Sequence, residues 1–221
     1  MSNSDSFIEE VTEEVRRDRL FAVMRRFGWI AVLAVLLIVG GAAYNEWRKA
    51  QERQIAEALG DNLLAALEAG SGAERAQELS QINAPTPGSQ TVADLLAAGE
   101  AMADDPGDAV ERLLKIADRS DIDMVYRQIA TLKAVMIPDG GLSAEDRRGR
   151  LDGLALGGGV VRLMAEEQLA FLDIETGNIE AAIERLQQVS ADAEATPGLR
   201  RRSTQVIVAL GGELIVPQLG Q

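Results

Sequence analysis

The sequence predicts an all-α protein in which a single N-terminal transmembrane helix is followed by an array of antiparallel helix pairs. Three observations carry this reading. Nineteen uncharged residues, Phe27 to Asn45, lie between Arg25-Arg26 and Glu46. Beyond them, apolar residues recur at helical spacing in short segments, each closed by Gly, Pro or Asp. Alanine and leucine abound while aromatics make up 4% of the 221 residues, a composition suited to close helix-on-helix contact rather than to a sheet.

The apolar run comes first. At about 1.5 Å per helical residue it covers roughly 28 Å, close to the hydrocarbon core of a bilayer. Trp29 and Tyr44 sit where interfacial aromatics anchor a span. Arg16, Arg17, Arg19, Arg25 and Arg26 precede it, against Arg48, Lys49 and Arg53 after it, so the N-terminus is expected in the cytoplasm and the rest exported. The competing reading is a cleaved secretory signal, for which Gly41-Ala42-Ala43 offers small residues. A charged leader of about 26 residues and an apolar core beyond the usual ~7–15 residues favour an uncleaved anchor. Within the leader, Phe7, Ile8, Val11, Val15, Leu20, Phe21 and Met24 follow Ser4-Asp5-Ser6 as an amphipathic helix.

After the span, Ile55, Leu59, Leu63 and Leu67 at i+4 spacing continue a helix to Ala69, which Gly70-Ser71-Gly72 stops. Helices are then expected over 73–82, 89–104, 108–119, 122–137, 143–156, 160–175, 179–193 and 199–210. Ala84 to Gly88, Asp105-Pro106-Gly107, Pro138 to Gly141, Gly157-Gly158-Gly159 and Thr196-Pro197-Gly198 read as breaks between them. Val206 to Val208 is the one stretch with strand character.

Composition excludes several functions. The chain has no histidine and no cysteine, which removes His- and Cys-based nucleophile systems, thiol redox chemistry, His/Cys zinc sites and disulfides. Its net charge of −13, carried almost wholly after the leader, repels nucleic acid and anionic headgroups. No cofactor and no catalytic or metal site is expected.

The clearest unit runs from Met164 through Leu169-Ala170 and Gly177-Asn178 to Ala182, Leu186 and Val189, and it resembles a tetratricopeptide repeat. Leu169-Ala170 match the large-then-small pair of the first helix, Gly177-Asn178 the turn, and Ala182, Leu186 and Val189 the packing positions of the second. Small side chains at Ala170 and Ala182 let paired helices approach. The same template gives Leu96-Ala97 with Ala109, Leu113 and Ile116, and Ile129-Ala130 with Leu151 and Leu154. Ala97, Ala130 and Ala170 are thus spaced by 33 and 40, around the repeat's usual period of about 34. Glu166 and Asp173 stand where the repeat usually carries aromatics, and Pro138 to Leu142 is an insertion.

An arginine-flanked anchor, a juxtamembrane helix and an acidic tetratricopeptide-like domain together resemble the ancillary subunit family of the bacterial Sec translocon. The resemblance is specific at Trp29–Trp47 and Leu169–Val189. It implies a cytoplasmic segment over 1–26, a transmembrane helix over 27–45, a juxtamembrane helix and linker over 46–88, a tetratricopeptide-like domain over 89–212 and a tail over 213–221. It also implies a single-pass inner-membrane protein whose periplasmic domain meets the translocon channel, a membrane-anchored periplasmic chaperone and exported polypeptides, without catalysis. A tetratricopeptide scaffold for envelope assembly or cell division is the alternative, or a secreted periplasmic protein if the leader is cleaved.

Stacked helix pairs leave a concave surface made by the first helix of each pair. Counted from the small positions, Met124, Arg127 and Thr131 in one unit, and Met164, Glu167, Phe171 and Ile174 in the next, are the candidate protein-binding groove; ordinary core packing is the competing reading. Asp104, Asp105, Asp118, Asp121 and Asp123 read as helix caps rather than a cation site. Gly157-Gly158-Gly159 reads as a hinge. Arg200-Arg201-Arg202 reads as a solvated face or as a dock for an acidic partner or lipid phosphate.

Overall fold

The structure, a computed structural model, describes residues 3–214, with side chains over 25–30 and 32–214. Among these residues all regular structure is helical. The helices are α1 (Asn3–Leu67), α2 (Gly72–Gln81), α3 (Pro87–Ala101), α4 (Pro106–Ala117), α5 (Met124–Met136), α6 (Ala144–Ala155), α7 (Gly159–Glu175), α8 (Ile179–Ala191) and α9 (Pro197–Ala209). The chain divides into two compact units between Ala58 and Leu59.

The first unit is α1 up to Ala58. Among the described residues it holds the one helix long and apolar enough to cross a membrane, and the apolar window is wholly exposed. Leu36, Leu37 and Ile38 are 62 to 71% exposed. The Tyr44 and Trp47 rings lie 6.1 Å apart, and the Arg26 guanidinium sits 5.8 Å from the Phe27 ring. The apolar residues of the amphipathic leader, Phe7 to Met24, lie outside the described side chains.

In the second unit each helix packs mainly on its neighbours in sequence. The core is correspondingly a series of small clusters rather than one body, as expected of a repeat array. Ala66, Leu79 and Ala97 join the end of α1 to α2 and α3. Val110, Leu113, Ala130 and Ala134 join α4 to α5, and Leu132, Val135, Leu151, Ala165 and Leu169 join α5 to α6 and α7. Ala170, Ala182, Leu186 and Ile207 join α7, α8 and α9. The expected small positions Ala97, Ala130 and Ala170, and their partners Ala109 and Ala182, are all buried.

Helix starts correct the sequence reading. Thr86-Pro87-Gly88, Asp105-Pro106-Gly107 and Thr196-Pro197-Gly198 are not breaks but beginnings. In each, the first residue caps the helix through its side-chain oxygen, while Pro and Gly open the first turn. A first-turn N–H has no intrahelical partner, so a proline costs nothing there and its fixed φ favours the helix. Ser71 likewise caps α2 reciprocally with Glu74, at 3.1 and 2.8 Å. Gly72 follows because a Cβ there would lie 2.6 Å from the Glu100 carbonyl oxygen of α3. The run Val206–Val208 is part of α9, where the buried Ile207 holds a helix against α7 and α8.

Gly177-Asn178 forms the turn after α7. Gly177 has φ +82, its N–H donates to the Ile174 carbonyl at 3.0 Å, and the Asn178 N–H donates to the Asp173 carbonyl at 2.7 Å. This left-handed cap reverses the chain in the fewest residues. The insertion after α5 does not form a mere excursion, because Leu142 packs against both the α4–α5 and the α5–α7 clusters.

Ala170→Leu or Ala182→Leu is expected to lower stability by about 1–3 kcal/mol through overpacking at the α7–α8 contact. Glu184→Leu, at an exposed position of α8, is expected to do little. Chemical denaturation of the three variants beside the parent measures this, and equal small effects at all three would refute the packing assignment.

Candidate protein-binding surface

The seven groove candidates separate into two groups. On α5, Met124 is 66% exposed at the first position of the helix. Arg127 is exposed, and its Nε donates to the Ala117 carbonyl at 3.2 Å. The Thr131 hydroxyl donates back to the Arg127 carbonyl at 2.9 Å. These three share one side of α5. On α7, Met164 packs against the Leu132–Leu169 cluster, and Ile174 packs against Ala170, Ala182, Leu186 and Ile207. Glu167 is buried, and Phe171 is half-buried.

Glu167 is buried because it has a partner on the next helix but one. Arg202 of α9 donates Nε and Nη2 to its two carboxylate oxygens at 3.1 and 2.9 Å, a bidentate pair that pins α9 onto α7. Six residues further on, Asp173 is also buried. It accepts from Arg148 of α6 at 2.6 Å and from Arg185 of α8 at 3.3 Å, and Arg185 also pairs with Glu166. The two carboxylates standing in place of the repeat's aromatics are therefore the centre of an ionic clamp across α6, α7 and α8. Sequence reasoning missed it. The signal was two arginines, Arg148 and Arg185, one on each flanking helix and each able to reach α7.

The aspartates and the arginine run are likewise absorbed by the fold. Asp105 caps α4, accepting from the Asp108 N–H at 3.0 Å, as expected. Asp123 stands at the N-cap of α5 without a side-chain bond. Asp104, Asp118 and Asp121 instead tie down the Ala73 N–H, Arg150 and Arg119. Of the basic run, Arg200 donates to the carbonyls of Ser190, Asp192 and Ala195, and Arg202 holds Glu167, leaving Arg201 exposed. Among the described residues no group of three or more His, Cys, Asp and Glu side chains is placed to hold a metal ion.

An open apolar cleft lies where none was expected, between α3 and α5. Ala98, Gly99 and Met102 form one wall and Lys133 and Met136 the other, with Leu113 of α4 as the floor; its volume is about 270 Å³. Helical geometry puts it opposite the predicted groove. Lys133 on the cleft wall and Thr131 are two residues apart, so they point roughly 160° away from each other around α5.

Serial helix pairs with alanines at their crossings, and surfaces left open between successive units, define an α-helical repeat protein of the interaction-scaffold class. Residues 25–138 match the family described as tetratricopeptide repeat-like domain, just over half of the chain, and the chain belongs to that family. The match takes in the apolar part of α1 and ends with α5, whereas the most regular unit by sequence, α7–α8, lies beyond it. No curated protein and no solved structure matches the chain.

Asp173→Ala is expected to cost about 2 kcal/mol, because it removes the acid that pairs with Arg148 and one of the two that pair with Arg185. The pH dependence has a definite sign. A hydrogen bond from Arg162, at 2.8 Å, is the main cause that lowers the Asp192 carboxyl below its ordinary value. The Ser71 backbone does the same for Glu74. A lowered carboxyl stabilises the fold above its unfolded value, and that contribution is lost as pH falls through the lowered one. Without histidine or cysteine no side chain of ordinary pKa titrates between about pH 6 and 8. Denaturation midpoints are therefore expected to be level across neutral pH and to fall progressively below about pH 5.

Proposed function

We propose that this protein is a non-catalytic, membrane-anchored interaction protein of the bacterial inner membrane. It resembles the ancillary Sec translocon subunit that links the export channel to periplasmic chaperones. The observation that carries this reading is α1. Its apolar stretch is exposed along its whole length, and the same helix runs on into a tetratricopeptide-like array. An exposed apolar helix of this length costs most in water and least in lipid. Residues 1–26 would face the cytoplasm, 27–45 would cross, and 46–221 would lie in the periplasm, in keeping with the arginine asymmetry.

Within the array, Met124, Arg127, Thr131 and Phe171 are the candidates left accessible to a channel subunit, chaperone or exported chain. Met164, Glu167 and Ile174 support them from within the packing. Anchor and array act together, because two weak contacts on one tethered chain raise each other's effective concentration.

Protease added to spheroplasts is expected to digest the array and spare the leader. Photo-crosslinkers at Leu36, Met124 and Phe171 are expected to recover translocon subunits or an export chaperone. Recovery of a division or envelope-assembly protein in their place would replace this reading with the scaffold alternative, and a mature N-terminus at Tyr44 would remove the anchor.

A further inference from the structure

We propose that the face shared by α3 and α5 is a docking site for an amphipathic helix of a partner protein, one that carries an acidic residue beside its apolar stripe. The argument rests on repeat register. The offset of 33 between Ala97 and Ala130 also relates Val92 to Val125 and Leu96 to Ile129. All four are half-exposed, at 40, 49, 36 and 37%. The equivalent positions of α7, offset from α5 by 40, are Ala165 and Leu169, and these are 0 and 1% exposed. One repeat face is thus apolar in three successive units, covered in the third and bare in the first two.

The third unit shows what covers it. Leu151, Leu154 and Ala155 of α6, three and four residues apart, pack with Leu132 and Val135 onto Ala165 and Leu169. The cover is a helix that lays a short apolar edge, Leu151, Leu154 and Ala155, on the face. The α3–α5 face offers such a helix two apolar rows and, between them, the cleft floored by Leu113. At about 270 Å³ the cleft falls below the usual range of small-molecule pockets, roughly 300–1,000 Å³, and suits an anchoring side chain. The space beside Gly99 is open, since a Cβ there would meet nothing within 4 Å.

Lys133 sets the charge of the occupant. It is exposed on the wall of the cleft, and its helical neighbours Ile129, Ala130, Met136 and Ile137 are all apolar. Among the described residues it has no ion-pair partner, whereas Lys115 pairs with Glu111 one turn before it. A purely apolar cover would strip water from that ammonium without compensation, and an acidic residue beside the stripe removes the penalty. Helix-in-groove recognition of this kind reads apolar residues at i, i+3, i+4 and i+7.

This inference rests on the interaction-scaffold reading but not on which membrane complex the protein serves. The test uses the full chain in zwitterionic lipid nanodiscs, with empty nanodiscs as the blank. The probes are two fluorescent helical peptides sharing a leucine stripe, one flanked by Glu and one by Lys. The Glu peptide is expected to bind saturably and the Lys peptide to bind at least about tenfold more weakly. Lys133→Glu is expected to invert that preference, and Gly99→Trp to abolish binding of both. Since the chain lacks cysteine, a dye on Gly99→Cys reports the site directly. Both positions are exposed, so unchanged melting verifies the fold; if Gly99→Trp melts early, Met136→Asp replaces it.

Binding of neither peptide, or binding indifferent to the substitutions, overturns the proposal. So does a concentration-dependent dimer lost with Gly99→Trp, which assigns the face to a second copy. If peptide binding fails while crosslinks from Leu36 and Met124 to export components persist, only the docking site falls. Peptide binding without those crosslinks removes the export reading alone.

Discussion

The helices of the second unit can pack only because their crossing points are alanine. Ala97, Ala109, Ala130, Ala170 and Ala182 are buried where one helix meets the next. A methyl group lets backbones approach at the short end of the usual 8–10 Å interaxial distance. The cost is that each such residue removes little apolar area from water, well below the 1.5–3 kcal/mol that burying a Leu or Phe contributes. With aromatics at 4% and no disulfide available, the array needs a second source of cohesion between helices. It finds it in charge.

Ion pairs bridge helices along much of the array. Arg75 ties α2 to Glu100 of α3, Arg148 and Arg185 converge from α6 and α8 on Asp173, and Arg202 reaches from α9 to Glu167. Exposed pairs contribute little, but Asp173 and Glu167 are buried, and there the penalty for losing a partner is large. These pairs select one arrangement of the helices as much as they strengthen it. An aromatic in place of Asp173 would bury more area, but it would accept any neighbouring helix. The carboxylate accepts only helices that bring an arginine to the same spot. The repeat's ordinary hydrophobic signature is thus exchanged for a charge pattern specific to this chain, which is one physical reason why the regular α7–α8 unit departs from the usual repeat composition.

That exchange also explains what the sequence disclosed. Element order and the small crossing positions were legible, because glycine and proline punctuation and the recurrence of alanine are local signals. Helix starts were misread at Pro87, Pro106 and Pro197, since a proline after a capping residue looks the same as a breaker until the cap bond is seen. The Arg200–Arg202 run looked solvated because its acceptors, Glu167 and three backbone carbonyls, are distant in sequence or hidden in the main chain. Of the candidate groove, Met124, Arg127 and Thr131 share one side of α5, while Glu167 and Ile174 are taken up by packing. The template assigns faces by period alone and takes no account of which neighbour arrives.

The open α3–α5 face follows from the same limitation. Leu96 and Ile129 carry the repeat's large position as Leu169 does, yet only Leu169 is covered. The difference lies in connectivity. After α5 the segment around Leu142 lodges between two clusters, and α6, emerging from it, packs chiefly on α7. The apolar residues of the first two units, Val92, Leu96, Val125 and Ile129, stay half-exposed beside that junction. Under the docking proposal their cover comes from outside the array, and Lys133 on the cleft wall favours partners that bring a negative charge.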